Sequence, residues 1–185
     1  MTGRVRGVTL LELMVTIAVA AIIVTIGIPS FQALIGRIRL SGKTDDLVSA
    51  IMLTRSEAIK RGIRVTLCKG DTTQADPMCA PEESTEGYEQ GWIVFVDSGA
   101  NLGVRDAGEL LVQVFEPDRQ LGISITGTST PFNRYISFTA DGLPKKINGG
   151  FLAGTMTLCK ASKAQRVVMS RFGRIRTERE ATCPG

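Results

Sequence analysis

The chain has 185 residues, a formal net charge of +4 and no histidine, and 43% of its residues are hydrophobic. This length is sufficient for one domain with its own core plus an additional N-terminal segment. Because histidine is absent and the sequence has no nucleophile elbow, phosphate-binding glycine loop or metal-ligand spacing, we expect no enzymatic activity, no cofactor and no bound metal.

An almost unbroken apolar run covers residues 8–28 and contains a single carboxylate, Glu12. As a helix with a rise of about 1.5 Å per residue, the run is roughly 30 Å long, similar to the hydrocarbon thickness of a bilayer. Arg4 and Arg6 precede the run and orient the N-terminus towards the cytoplasm. Since the run is too long for a secretory signal peptide, the sequence predicts a membrane-inserted helix.

A plain membrane anchor does not explain Glu12, because a charge inside an apolar segment is costly unless it has a partner. A cut after Gly7 would create an amine on Val8, close to this carboxylate in the sequence. The stretch Gly7-Val8-Thr9-Leu10-Leu11-Glu12-Leu13, with Pro29 further along, resembles the leader and helix of type IV pilins and pseudopilins. In that family a prepilin peptidase cuts after the glycine and methylates the new amine. The family usually has phenylalanine where this chain has Val8.

The resemblance implies leader cleavage and N-methylation at Gly7 and Val8, and assembly roles for Glu12 and Pro29. In a filament, the Glu12 carboxylate would meet the N-terminal amine of a neighbouring subunit, and this pairing would fix the axial register. The resemblance divides the chain into three parts: a prepilin leader (residues 1–7), a transmembrane N-terminal helix (residues 8–36) and a periplasmic GspH/FimT-like α+β globular domain (residues 37–185).

Apolar residues continue at helical spacing beyond Pro29. They form two stripes, the first with Phe31, Leu34, Ile35 and Ile38 and the second with Leu47, Ala50, Ile51, Thr54 and Ala58. The pattern loosens at Ser41-Gly42, which favours a bend, and Gly62 is a typical C-terminal stop. We therefore predict one long helix, transmembrane and then amphipathic, whose second half packs on the domain core.

From residue 64 the pattern changes to short strands separated by turn-forming residues. Strands are predicted at 64–68, 91–96, 110–115, 121–126, 135–139, 155–159, 165–170 and 174–177. A long helix followed by seven or eight short strands indicates an α+β fold, with the helix packed on an antiparallel β-sheet domain. This is also the type IV pilin fold that the resemblance implies.

The four cysteines suit the periplasm, where disulfides persist, and they allow three pairings. We favour Cys68–Cys79, which closes a short polar loop, and Cys159–Cys183, which ties down the C-terminus. A tetracysteine zinc site is the alternative, but its close-spaced cysteine pairs are missing. Calcium at Asp97, Asn101 and Asp106 is disfavoured, because these residues lack the spacing of a dedicated calcium loop.

Basic charge is concentrated at the C-terminal end, where residues 159–185 carry seven basic and two acidic side chains, a net charge of +5. On a strand, Arg174 and Arg176 would share a face about 6.6 Å apart, with Ile175 turned to the core. Gly173 would permit the tight turn that presents them. Such a cluster suits the phosphate oxygens of DNA. The candidate DNA-binding residues are Lys160, Lys163, Arg166, Arg171, Arg174 and Arg176.

The C-terminal sequence also resembles one branch of the pilin family. Gly173-Arg174-Ile175-Arg176 is similar to the GRxR motif with which FimT-type minor pilins bind DNA during natural transformation. The resemblance implies a minor type IV pilin that joins the pilus and binds extracellular double-stranded DNA non-specifically for uptake. Two alternatives are a GspH-like minor pseudopilin of type II secretion and a structural tip or priming pilin without DNA binding.

The resemblance also implies where the protein acts. It would be a single-pass protein of the inner membrane with a periplasmic C-terminal domain, and then part of the pilus at the cell surface. Its partners would be other major and minor pilins, the prepilin peptidase, the inner-membrane assembly machinery, double-stranded DNA through its phosphate backbone, and the inner membrane before assembly.

Overall fold

The computed structural model describes residues 7, 9–85, 87–117, 122–180 and 182–183, without the side chains of residues 26–30, 33 and 180. Most of the predicted leader, with Arg4 and Arg6, lies outside the described residues, as does Val8. Pro29 lies within a helix, and its side chain is not described. The methylation site and the contacts of Pro29 therefore stay predictions.

A single helix, α1, spans Leu10–Arg61. Thr9 precedes it, and its hydroxyl oxygen accepts a hydrogen bond from the Glu12 N–H at 3.2 Å, which satisfies one of the free donors of the first turn. At the other end, Gly62 has φ +67° and donates its N–H to the Ala58 oxygen, which confirms it as the C-terminal stop. The helix is not interrupted at Ser41-Gly42, where the sequence pattern loosens.

Contacts within the chain separate two units, Met1–Ile38 and Arg39–Gly185. In the first unit, the large apolar side chains of α1 are exposed, among them Leu10, Leu11, Leu13, Met14, Val15, Ile17, Val19, Ile22, Ile23 and Val24. Within the part of the chain that the structure describes, no helix combines the length and the apolar character needed to cross a membrane.

The second unit contains two antiparallel sheets of four strands each. The strands are β1 (Val65–Lys69), β2 (Trp92–Val96), β3 (Leu111–Phe115), β4 (Ser124–Gly127), β5 (Tyr135–Phe138), β6 (Gly154–Lys160), β7 (Lys163–Met169) and β8 (Ile175–Glu180). Sheet A has the order β3-β2-β1-β5, and sheet B has the order β4-β6-β7-β8. The predicted α+β class with antiparallel strands is confirmed. Two short elements were not predicted, a 3-10 helix at Tyr88–Gln90 and helix α2 at Thr130–Arg134.

The core of the second unit lies between the C-terminal half of α1 and the sheets. Leu47, Ala50, Ile51 and Ala58 are fully buried, so the second apolar stripe of the helix packs on the core as predicted. Strand β2 is buried along its whole length because it lies between β1 and β3 in sheet A. The C-terminal half of α1 therefore belongs to the hydrophobic core of this unit.

The polar loop after β1 is held by a disulfide and by a buried arginine. Cys68 is joined to Cys79, with Cα atoms 5.6 Å apart. The Arg105 guanidinium is buried, pairs with Asp76 and donates hydrogen bonds to the carbonyl oxygens of Pro77 and Glu109. Burial of a charged group is costly unless the group is paired and hydrogen-bonded, and these contacts meet that condition for Arg105. Arg105 therefore ties this loop to the connection between β2 and β3.

A buried carboxyl group follows β2. Asp97 is 2% exposed, and its Oδ2 accepts hydrogen bonds from the Thr66 hydroxyl and from the Gly103 N–H. Among the described residues, Oδ1 has no hydrogen-bond partner. Burial raises the pKa of Asp97 above its ordinary value, although the hydrogen bond from Thr66 opposes this.

This raised pKa makes stability depend on pH. The folded protein binds the Asp97 proton more tightly than the unfolded chain does, so protonation stabilises the fold below the ordinary pKa. That contribution is lost as the pH rises through the folded-state pKa. We expect the unfolding free energy of D97N, which has no titrating carboxyl here, to fall less than that of the parent as the pH rises. Urea unfolding of the two full chains in non-ionic detergent at several pH values measures the difference. Parallel curves of unfolding free energy against pH would contradict this role of Asp97.

Candidate nucleic-acid interface

The turn between β7 and β8, residues 170–174, is held by hydrogen bonds of its own. The Ser170 N–H donates to the Arg174 oxygen and the Gly173 N–H donates to the Ser170 oxygen, both at 2.9 Å. The Ser170 hydroxyl oxygen accepts from the N–H groups of Phe172 and Arg174. Gly173 has φ +75°, a conformation that favours glycine. These hydrogen bonds therefore hold the backbone of the turn in a defined conformation.

Three of the candidate arginines lie at this turn. Arg171 and Arg174 are exposed within it, and Arg176 is exposed near the start of β8. Ile175, between Arg174 and Arg176, packs against the core. The Arg171 guanidinium carbon lies 4.8 Å from the centroid of the exposed Phe172 ring. The turn and the start of β8 thus carry three exposed arginine side chains on a hydrogen-bonded backbone.

A groove of about 490 Å³ lies between α1 and β8, beside the turn. Its lining residues are Val48, Met52, Arg55, Gly173, Arg174, Ile175, Arg176 and Thr177. One Arg55 guanidinium N–H donates to the Gly173 oxygen at 3.2 Å. A Cβ added at Gly173 would lie 3.2 Å from the Phe138 ring and 3.4 Å from the Arg55 guanidinium. Sequence reasoning missed Arg55, because it lies on α1, 118 residues before the glycine.

The remaining candidates lie further from the turn along sheet B. Lys160 and Lys163 are paired across the turn between β6 and β7, next to the Cys159–Cys183 disulfide. They lie at the opposite end of β7, which has seven residues and is therefore about 20 Å long. Arg166 lies in the middle of β7, opposite Glu178 of β8. The six residues predicted as one cluster are thus divided between the two ends and the middle of sheet B.

A carboxylate lies beside the arginines of the turn. The Arg176 Nε is 3.0 Å from the Glu178 carboxylate, with side chains 70% and 40% exposed. An exposed ion pair of this kind contributes about 0–1 kcal/mol, so the guanidinium can exchange the partner for another anion at little cost. Sequence reasoning counted Glu178 only toward the net charge, although its i+2 spacing from Arg176 on a strand was a usable signal.

The second predicted site lies at the N-terminus. Gly7 is exposed, Val8 is not described, and Glu12 is exposed in the first turn of α1. Among the described residues, none forms an ion pair with the Glu12 carboxylate.

Metal binding is the third kind of site that the sequence raised. The described residues contain no group of three or more His, Cys, Asp or Glu placed to hold an ion. Asn101 and Asp106 instead hydrogen-bond to each other.

Comparison with known families gives two matches along the chain. Residues 3–28 match the prokaryotic N-terminal methylation motif, and residues 43–173 match the family described as type II transport protein GspH. The chain belongs to the GspH/FimT family of type IV minor pilins and pseudopilins. The match to GspH ends at Gly173, so it includes neither Arg174 nor Arg176.

The fold of this GspH/FimT-family protein is that of a known minor pilin. A crystal structure of the type IV minor pilin FimU from Pseudomonas aeruginosa strain PAO1 superposes with a TM-score of 0.58 and 16% identity, covering 80% of this chain and 97% of FimU. A second crystal form of FimU gives a TM-score of 0.55 and 14% identity, covering 78% and 99%. The chain therefore has the type IV pilin fold. No curated protein matches the sequence.

Family membership sets the general role of the protein. Proteins of this family are structural rather than enzymatic, and the family implies association with other pilins and with the prepilin peptidase machinery. The methylation motif and the family together suggest passage from the inner membrane to the pilus. The two predicted disulfides, Cys68–Cys79 and Cys159–Cys183, are present in the structure.

Proposed function

We propose that this minor pilin joins a type IV pilus and binds extracellular double-stranded DNA through the phosphate backbone, for uptake in natural transformation. The observation that carries the proposal is the group of exposed arginines on the turn between β7 and β8. Arginine offers a planar fork of N–H donors that suits phosphate oxygens, and release of counterions drives such binding. The similarity of residues 173–176 to the GRxR motif of FimT-type pilins supports the same role.

The proposed DNA binding does not depend on the base sequence. Phe172 is the one aromatic residue among residues 170–176, and its ring lies against Arg171. Stacking of bases on aromatic side chains would therefore contribute little, and guanidinium contacts to phosphate carry no sequence information. The test is a competition titration with duplexes of unrelated sequence. The proposal requires equal affinities, and strong preference for one sequence would contradict it.

The N-terminal helix supports the assembly part of the proposal. The exposed apolar side chains of α1 need a cover, which lipid supplies before assembly and the helices of neighbouring pilins supply afterwards. Glu12 would pair with the N-terminal amine of a neighbouring subunit, created on Val8 by cleavage after Gly7. The periplasmic position of the domain and the assembly role of Pro29 are part of the same proposal.

Substitution of Glu178 tests the proposal through an expected gain in DNA affinity. We expect E178Q to bind duplex DNA about two- to fivefold more tightly, because the substitution removes a competitor for Arg176 and a negative charge facing the phosphates. The matched control is E82Q, which removes an exposed carboxylate paired with Arg134 and does not line the groove. Fluorescence anisotropy measures both affinities. Unchanged or weaker binding by E178Q would contradict a phosphate site at Arg176.

A second candidate function is favoured by the description of the matching family. Residues 43–173 match a family described by type II transport, so a minor pseudopilin of type II secretion is the alternative. A structural tip or priming pilin without DNA binding is a further alternative. Deletion of the gene separates the pseudopilin from the two pilus roles, and the DNA-binding variants separate those two from each other. The proposed function requires loss of transformation with secretion intact, whereas loss of secretion would favour the pseudopilin.

A further inference from the structure

We propose that the groove between α1 and β8 is a phosphate subsite of the DNA-binding surface and that Arg55 is one of its phosphate-binding residues. The proposal rests on the proposed function, since DNA supplies the phosphate. Three of the eight lining residues, Arg55, Arg174 and Arg176, are arginines, and none is acidic. The groove is therefore a concave site with positive charge on both sides, one side from the helix and the other from the strand.

Arg55 has donors to spare for a ligand. A guanidinium group carries five N–H donors, and the described contacts of Arg55 use one of them, for the Gly173 oxygen. That oxygen is neutral, so the positive charge of Arg55 is not compensated by this bond. In contrast, Arg61 on the same helix is paired with the Glu57 carboxylate at 2.6 Å. Arg55 thus presents an available cation where Arg61 does not.

The apolar part of the groove lining favours phosphate binding in the same way. Val48, Met52 and Ile175 are apolar lining residues, and their side chains carry no charged group that would compete with a phosphate for the guanidinium groups. A hydrogen bond between charged groups is stronger where water is partly excluded. A phosphate oxygen in the groove would therefore interact with Arg55 more strongly than one bound on an open surface.

The bond between Arg55 and Gly173 also makes the site rigid. It joins the helix to the backbone of the residue that precedes Arg174, within a turn already closed by its own hydrogen bonds. Groups held in their binding position before the ligand arrives lose less entropy on binding. Arg55 consequently has two roles, as a phosphate donor and as a support for the turn, and the experiment must separate them.

The experiment compares R55Q, R55K and R61Q with the parent, as full chains in non-ionic detergent, by anisotropy with a duplex of random sequence over a salt series. R61Q removes the same charge from the same helix outside the groove. We expect R55Q to weaken binding at least about tenfold and to reduce the slope of log Kd against log salt by about one. R55K should keep the slope with intermediate affinity, and R61Q should stay within about twofold of the parent.

The outcomes are distinguishable. If R55Q matches R61Q while R174A/R176A loses binding, the subsite is wrong and the proposed function stands. If R55Q weakens binding without changing the salt slope, Arg55 only supports the turn, and the phosphate contact is overturned. If the parent does not bind DNA, the proposed function fails and the subsite with it.

A second measurement uses only the parent and does not depend on how the variants fold. Phenylglyoxal modifies accessible arginines, and mass spectrometry measures the modified fraction of Arg55 with and without duplex DNA. We expect DNA to protect Arg55 together with Arg174, and to leave Arg61 unprotected. Equal modification of Arg55 in the two conditions would overturn the subsite.

Discussion

The double variant R174A/R176A should bind duplex DNA at least about 100-fold more weakly than the parent at moderate salt. Hydrogen bonds to charged groups are worth about 1.5–3 kcal/mol each, and two such donors would be lost. The slope of log Kd against log salt should fall by about two, one for each phosphate contact. Because both side chains are exposed, we expect the unfolding free energy to change by no more than about 0.5 kcal/mol per substitution.

The matched control is K160A/K163A. It removes two positive charges from the same sheet, at the far end of β7. We expect it to weaken binding less than about fivefold, because a charge roughly 20 Å from the turn is largely screened at physiological salt. Equal losses in the two double variants would show that the overall positive field, and not the turn, determines affinity. Thermal unfolding of each variant verifies that the fold is kept.

Substitution of Glu12 should have the other large effect, on assembly. We expect E12A to enter the membrane normally and to be absent from pili. Without the carboxylate, the N-terminal amine of a neighbouring subunit is left unpaired in the packed helices, at a cost of about 3–5 kcal/mol. A cost of that size reduces the equilibrium population of the assembled subunit by at least about 100-fold. Membrane fractions and sheared pili, probed separately for the protein, measure the two steps.

The control for this variant is T16A. Thr16 lies one turn further along α1, and its hydroxyl donates to the Leu13 oxygen of the same helix. The substitution removes a polar side chain from the apolar run without changing charge, so pilus incorporation should be unchanged. Recovery of E12A in pili at the parental level would show that the carboxylate does not fix the register of the subunit.

Much of the fold was predictable because its elements are local. The stripe at Leu47, Ala50, Ile51 and Ala58 predicts a buried helix face, and Gly62 predicts its end, from residues within a few turns of one another. The division of the strands into two sheets was not predictable in this way, since it depends on pairings between distant strands. Helix α2, with five residues, is too short for its period to be visible.

In the candidate site too, the local features were predictable from the sequence and the long-range ones were not. The presentation of Arg174 and Arg176 around a core-facing Ile175 follows from strand alternation and from the turn at Gly173. The separation of Lys160 and Lys163 from the turn follows from the length of β7, which charge counting ignores. Arg55 reaches the turn only through tertiary packing, and its place on the helix beside the apolar stripe gave no signal of its role.

The measurement that tests the central claim most directly is the affinity of the full chain, in non-ionic detergent, for duplex DNA as a function of salt concentration. We predict binding at low salt that weakens linearly on a log–log scale, with a slope of about two to four for the few arginines at the turn and in the groove. Absence of binding at low salt would contradict DNA binding by this pilin. The basic turn would then be a solvated or subunit-facing surface, and the protein a structural minor pilin.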